Sequence, residues 1–382
     1  MSEILKFEPE KLNLQARGHT PSPLALSIPV VPEELNPYGL DAPKDIGEML
    51  LPDGTKFGLF NDPYAQQVFI KPNEGVRNGQ YWFSEKSADG HFSEKEIQLL
   101  DLLSTIRIAT RSQIHRALHR GDVPENDRST VDFIKRCRKN GIICAFSWIS
   151  PLNDERKKPR VYALTKAGAM AAELLFQRKL PDKFWLQPIN FPVGRNPSMD
   201  VFFLDLIANE LYSELVRIDR LVDWIRRPPI KLPNAQSNHY PYASFKVIKG
   251  ENDFKSFWVE VFRPTKDWLN KAITRFQRTE IAFNSLPENQ QPYRLIIIVD
   301  GDSRVKFLSE LANKYMPSVT VRFTTDERLL MGIGDDTFIA YNFDKQELVR
   351  KSIPYLKPGF HGMTATEYYA TIQVDFDDDE DV

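Results

Sequence analysis

The chain has 382 residues, 42% of them hydrophobic and 27% charged, with a formal net charge of −2. That length allows two or three domains around a sizeable core, and that charge excludes a polycation. The charge is unevenly spread: the final eight residues, 375–382, hold six acids, and removing them would turn −2 into +4. Two cysteines, Cys137 and Cys144, exclude a disulfide framework and a four-thiolate zinc site. Both stand where the pattern wants small apolar residues, which predicts buried thiols in a reducing compartment. The N-terminus carries early acids and no apolar stretch of signal-peptide type, and no run reaches the roughly 18–20 apolar residues of a membrane span. A cytoplasmic location with no membrane contact is expected.

In chain order, residues 1–91 read as a Pro-rich arm. Pro21, Pro23, Pro29, Pro32, Pro37 and Pro43 argue against long helices. The runs Lys56-Phe57-Gly58-Leu59-Phe60 and Gln80-Tyr81-Trp82-Phe83 predict an ordered arm or small β-element, packed on the body or on another subunit. From Ser93 the pattern is regular. Ser93 with Glu96 forms a capping box ahead of Ile97, Leu99, Leu100, Leu102 and Leu103 at helical spacing. Thr110 with Gln113 is a second capping box, opening a helix over 111–119. A polar break at 121–126 leads to a third helix, Arg128–Lys139, which Gly141 ends as a C′ glycine would. Two β-rich stretches, 142–149 and 160–164, flank the basic turn Asp154-Glu155-Arg156-Lys157-Lys158-Pro159-Arg160, and Thr165 caps a closing helix over 166–178. Three helices, a hairpin and a helix are the order of a winged helix, at 92–180.

Pro181, Pro188, Pro192 and Pro197, with Gly194, mark a linker at 181–197. A long amphipathic helix is predicted over 199–219, then strands at 221–225, 242–248 and 254–262, and a helix over 266–283. Arg294–Val299 is nearly continuous apolar, as a strand covered on both faces would be. A helix over 303–314, a strand at 319–323, a short helix after Thr325 and a strand at 337–341 complete an α/β sandwich at 198–344. Residues 345–382 are a C-terminal extension that thins into acid. The expected fold class is α+β and α/β, with two folded domains.

In a winged helix the third helix enters the major groove and the hairpin loop lies along the backbone or minor groove. Phosphates call for cations, hydroxyls and amides, and base edges are best read by Arg. The candidates are Arg111, the third-helix residues Arg128, Ser129, Thr130, Lys135, Arg136 and Lys139, and the loop residues Arg156, Lys157, Lys158 and Arg160. Residues 93–178 hold sixteen Lys and Arg against ten Asp and Glu, the footprint of a polyanion site. Double-stranded DNA is the expected partner, although winged helices also contact proteins. His115 and His119 stand at i, i+4 as zinc ligands can, but no third ligand is near in sequence, which favours surface histidines. Arg263, Lys266, Lys271, Arg275 and Arg278, with Trp258 and Trp268 beside them, read either as a nucleic-acid face or as a solvated face over a tryptophan core.

Taken in order, these stretches resemble the plasmid replication-relaxation family, which groups with MobC-type mobilisation proteins. The resemblance covers roughly 93–335. It rests on the hairpin end Val161-Tyr162-Ala163-Leu164-Thr165-Lys166-Ala167-Gly168, a strand start Pro241-Tyr242-Ala243 and a strand end Glu260-Val261-Phe262-Arg263-Pro264-Thr265. Lys271 with Phe276, Val299-Asp300 and Arg322-Phe323-Thr324-Thr325-Asp326 follow. The resemblance implies a restriction-endonuclease-like fold for the second domain, in which an Asp and a Glu hold a divalent metal and a Lys positions water. Glu260, Lys271 and Arg263 would be the catalytic residues, and Glu260 with Asp200 the ligands of Mg²⁺ if the domain is active; otherwise no cofactor is expected. The chain departs from the family at two places, with Tyr242 and Phe262 where the pattern has Asp. Asp200, Asp205, Glu210 and Glu214 on the preceding helix, or Asp253, could compensate. Tyr242 could also be a nucleophile, though a strand-start tyrosine is more often packing.

These readings lead to a DNA-binding accessory or regulatory protein of a plasmid or other mobile element, acting in mobilisation or replication, with a degenerate nuclease-like domain. The alternatives are a metal-dependent nicking relaxase and a protein-binding scaffold. The acidic tail would dock relaxosome, replication or secretion-coupling proteins, mask the basic face, or simply solubilise the chain. A homodimer would suit a palindromic target.

Overall fold

A computed structural model of the chain describes residues 31–32, 36–39, 42–119, 128–152, 154–181, 183–233, 237–265 and 267–378. The first thirty residues of the Pro-rich arm, the polar break at 121–126, Lys266 and the last acidic residues lie outside them. Among the described residues the chain is a mixed α+β protein with two sheets. No described helix is long and apolar enough to cross a membrane.

The first sheet is antiparallel and has the order β1-β3-β4-β2, from β1 (Gln66–Phe69), β2 (Ile108–Thr110), β3 (Ile143–Ile149) and β4 (Val161–Leu164). Five helices accompany it: α1 (Val76–Asp89), α2 (Glu94–Ile106), α3 (Arg111–Leu118), α4 (Arg128–Lys139) and α5 (Lys166–Phe176). Both predicted capping boxes are formed, by Ser93 with Glu96 and by Thr110 with Gln113. Thr165 caps α5, accepting from the N–H of Gly168. Gly141, just past α4, has φ +71°. The strand of the arm, β1, lies at Gln66–Phe69 and in neither of the two runs singled out above, and it adds to β3. The run Gln80–Phe83 instead lies within α1. There Trp82 is buried while Tyr81 points to solvent, because successive positions sit about 100° apart on a helix.

The second sheet has seven strands in the order β11-β10-β9-β8-β7-β6-β5. They are β5 (Leu221–Arg226), β6 (Ala243–Gly250), β7 (Asp253–Val261), β8 (Arg294–Val299), β9 (Val321–Thr325), β10 (Ile339–Asn342) and β11 (Glu347–Arg350). β7, β8 and β9 run parallel, and the other pairs are antiparallel. The crossovers α7 (Trp268–Ser285) and α8 (Val305–Tyr315) pack together, and α6 (Asp200–Arg217) packs on β7 and β5. The period of two along β8 accounts for its apolar run. Ile296 and Ile298 face the cluster that holds α6, while Leu295, Ile297 and Val299 face the cluster that holds α7 and α8. The short α9 (Asp326–Leu330) follows β9, and after residue 344 the chain does not thin out at once, since β11 pairs with β10 and α10 (Ala365–Asp378) follows.

The two halves share one apolar core. Leu99, Ile114 and Phe146 belong to the same cluster as Phe203, Phe245 and Ile296. The Pro-rich stretch at 181–197 is attached to the first sheet: the N–H of Leu186 donates to the carbonyl of Leu164 over 2.9 Å, and Leu180 and Phe184 are buried. Ion pairs cross as well, with Arg107 on Asp205 at 2.8 Å and Arg116 on Glu210 and Glu214.

Candidate functional site

A basic cleft of about 690 Å³ lies between α3, α4 and the loop joining β3 to β4. Arg111, Lys135, Lys157, Lys158 and Arg160 line it, so five of the sequence-predicted cations from three elements meet there. Arg116 and Arg138 line it too, but each is neutralised, by Glu210 and by Glu74. On α4, Arg128, Ser129, Lys135, Arg136 and Lys139 are exposed along one face, because the opposite face buries Phe133, Ile134 and Cys137. Asp132 shares the exposed face and pairs with Lys135 at 3.2 Å and Arg128 at 3.8 Å. The sequence reading did not single it out.

Two candidates stand elsewhere. Thr130 is 2% exposed, with its hydroxyl against His115 Nδ1 at 3.2 Å and His119 Nε2 at 3.0 Å. A hydroxyl enclosed by two imidazoles ties α3 to α4 and is closed off from a phosphate. His115 is thereby a buried residue and not a surface one. Arg156 turns away from the cleft: its guanidinium grips Asp154 at 2.8 Å and donates to the carbonyl of Phe57 at 2.5 Å, fastening the loop to the N-terminal segment. The back wall of the cleft includes Phe60 and Leu330, which lie far from the basic residues in sequence.

A second cavity, about 340 Å³, opens at the C-terminal end of β7. It gathers Asp200, Tyr242, Glu260, Arg263, Lys271 and Arg275. The four residues named for catalysis or metal binding, spread over 71 positions of sequence, therefore share one cavity, as strand ends beside a crossover helix would place them. Glu260 is 5% exposed. One carboxylate oxygen, Oε2, receives Arg275 Nε at 2.9 Å, and the other, Oε1, has no hydrogen-bond partner. Burial raises its pKa above the usual carboxylate range, while Arg275 and Arg227 and the nearby backbone N–H of Tyr242 pull it back. Burial also raises Asp200 and Asp62, which line the same space, with Lys271 opposing the shift at Asp200 and the loop residue Lys158 at Asp62. Lys271 Nζ lies 3.2 Å from the Thr265 hydroxyl. Arg263 lines the wall but is committed elsewhere, to Asp326 at 2.6 Å and to the carbonyls of Phe60 and Phe262.

The acids proposed as substitutes for the missing Asp are engaged. Asp205 is held by Arg107 and Arg226 and accepts the Tyr242 hydroxyl. Glu210 and Glu214 are buried against Arg116, and Asp253 sits in the β6–β7 turn between Lys249 and Lys255, at 3.0 Å from each. Among the described residues no three His, Cys, Asp or Glu side chains group to hold a metal ion. Glu260 and Asp200 supply two carboxylates to the cavity, and a cation at Glu260 Oε2 would have to displace the Arg275 guanidinium that holds it at 2.8 Å. Burial first, and Asp205 next, push the Tyr242 phenol well above its ordinary value, so it is a poor nucleophile. Arg275 and Arg278 on α7 are spent on the carbonyls of Tyr240 and Asn238, so much of that basic face anchors the 237–240 segment. Both cysteines are buried and unpaired, with thiols raised to about 12 by burial.

The fold and these surfaces define a mixed α+β protein with a cation-lined cleft in its first half and an aromatic-walled cavity in its second. No family model, no curated protein and no solved structure matches the chain.

Proposed function

We propose that the chain is a DNA-binding accessory or regulatory protein of a plasmid or other mobile element. In this reading residues 92–180 act as a winged helix, and the second half is a restriction-endonuclease-like sandwich that has lost its chemistry. The observation that carries the DNA reading is the convergence of Arg111, Lys135, Lys157, Lys158 and Arg160 on one cleft beside the exposed basic face of α4. Cations gathered from three elements cost mutual repulsion, which a polyanion removes by displacing its counterions. The loss of catalysis is supported by Asp205, held by Arg107 and Arg226, and by Glu260, one of whose oxygens is taken by Arg275. The mobile-element assignment rests on the motif order that resembles mobilisation proteins.

Duplex binding by the full chain should weaken steeply with salt. Replacing Lys135, Arg136, Lys157 and Lys158 together by Ala should lower affinity and flatten the salt slope by up to about 3 to 4, near 0.9 for each phosphate no longer neutralised. An unchanged slope would overturn the reading. A second reading, metal-dependent nicking, is favoured by one observation, the shared cavity of Asp200, Glu260 and Lys271. Supercoiled DNA incubated with the protein and Mg²⁺ or Mn²⁺ decides between them. Relaxation that disappears in Glu260→Ala supports nicking, and intact DNA supports the degenerate domain.

A further inference from the structure

The cavity beside β7 has three properties that together specify a ligand. The first is an unmet acceptor: Glu260 is 95% buried, and its Oε1 has no hydrogen-bond partner although Oε2 is held by Arg275. His239 Nε2 lies 3.8 Å from Oε1, too far to donate, and its pKa is depressed to about 3 by burial and by Arg275 and Arg278, so it stays neutral; the backbone N–H of Tyr242 approaches the carboxylate without completing a hydrogen bond to Oε1. A buried acceptor of this kind calls for a donor from outside the chain. The second property is charge balance. The carboxylates of Asp62 and Asp200 are matched by Lys271 and Arg227 on the same lining, which favours a neutral guest over a strongly charged one. The third is an aromatic lining, in which Tyr242 and Phe262 are partly exposed and Phe203, Trp268 and Phe276 lie almost wholly buried behind them.

The volume of about 340 Å³ falls at the small end of ligand pockets, which run from about 300 to 1,000 Å³. The position, at the C-terminal end of a strand followed by a crossover helix, is where sheets of this type take ligands.

We propose that this cavity binds a nucleobase bearing an exocyclic amine, with the amine donating to Glu260 Oε1 and the ring held among the aromatic side chains. Cytosine, adenine and guanine carry such an amine; thymine and uracil present a carbonyl oxygen there, which would meet Glu260 acceptor to acceptor. The base can come from a free nucleoside or from a nucleotide swung out of a DNA strand, and both use the same contact. The proposal stands apart from the basic cleft, because free nucleosides test it without any DNA.

Calorimetry on the full chain should show deoxycytidine or deoxyadenosine binding at least about tenfold more tightly than thymidine, since a site built for a hydrogen bond rejects the analogue that cannot make it. A homopolymer of deoxycytidine bound more tightly than one of deoxythymidine, with no heat from free nucleosides, would assign the strand as the source. Val201 lines the cavity and is 54% exposed, so Val201→Trp plugs the mouth without disturbing the core. That variant should lose at least about tenfold in affinity while keeping its melting temperature. Equal affinity for the cytosine and thymine partners, undiminished binding by Val201→Trp, or no binding of nucleosides or strands at millimolar concentration would each overturn the proposal and leave water as the only occupant.

Discussion

Asp205 shows how one buried carboxylate can hold three elements. It is 1% exposed and accepts from Arg107 before β2, from Arg226 at the end of β5 and from the Tyr242 hydroxyl before β6. Removing the carboxylate strands two guanidiniums in a dry environment, and breaking a buried pair in this way costs about 3 to 5 kcal/mol. Asp205→Ala should therefore lower the urea midpoint by that equivalent, and a loss below about 1 kcal/mol would contradict the geometry. Read from the sequence, Asp205 is one of four acids on a helix, all of them equally suited to a metal. Nothing in its spacing reveals the partners, which lie 98, 21 and 37 residues away. Tyr242 was visible as a substitution of an expected Asp, but only the structure shows that its hydroxyl has been taken up by a neighbouring carboxylate.

At the scale of elements, local chemistry was legible and long-range contact was not. The capping boxes at Ser93 and Thr110, α4 as Arg128–Lys139 and β8 as Arg294–Val299 follow from side chains within a few residues of each other. Gly141 was legible for the same reason, as the left-handed residue after α4. The structure adds a second demand on it. A Cβ there would lie 2.2 Å from the carbonyl oxygen of Gly75, and a Cβ on Gly75 would lie 2.1 Å from that of Arg138. The two glycines, both with positive φ, let the start of α1 press against the end of α4. Gly141→Ala combines backbone strain with a steric clash and should cost about 2 to 4 kcal/mol. Gly90 has φ +67° and nothing within 4 Å, so Gly90→Ala carries the strain alone and should cost about 1 kcal/mol. Equal losses for the two variants would show that the close approach carries no weight.

At the scale of the whole molecule, the segment from Ile46 to Asp62 explains why the arm resisted reading. It has no period of 2 or 3.6, because it is secured through its carbonyls by side chains from distant elements. Trp268 donates to Glu48 at 3.0 Å, Arg304 to Met49 at 2.9 Å and Leu50 at 3.0 Å, Arg156 to Phe57 and Arg263 to Phe60. Arg263 and Arg304 are in turn held by Asp326 and Asp300, and Asn61 reaches Asp300 at 3.2 Å. The segment thereby ties the basic loop to the ends of β7, β8 and β9. Such an arrangement responds to pH through its most perturbed acid. Burial, opposed by Arg263 and reinforced by Asp300, raises Asp326 from 3.8 to about 6. The folded state then holds a proton on Asp326 that the unfolded chain has released between these two values. Its contribution to stability is complete below about pH 3.8 and is lost as pH rises through about 6. Asp62, Asp200, Glu210 and Glu260 are raised in the same direction, so total stability alone would not isolate Asp326. The difference between the native chain and Asp326→Asn does isolate it. Measured by urea denaturation, the advantage of the native chain over that variant should shrink by up to about 3 kcal/mol between pH 4 and pH 7. A difference that stays flat, or that grows as pH rises, would mean that Arg263 outweighs burial and holds Asp326 ionised throughout.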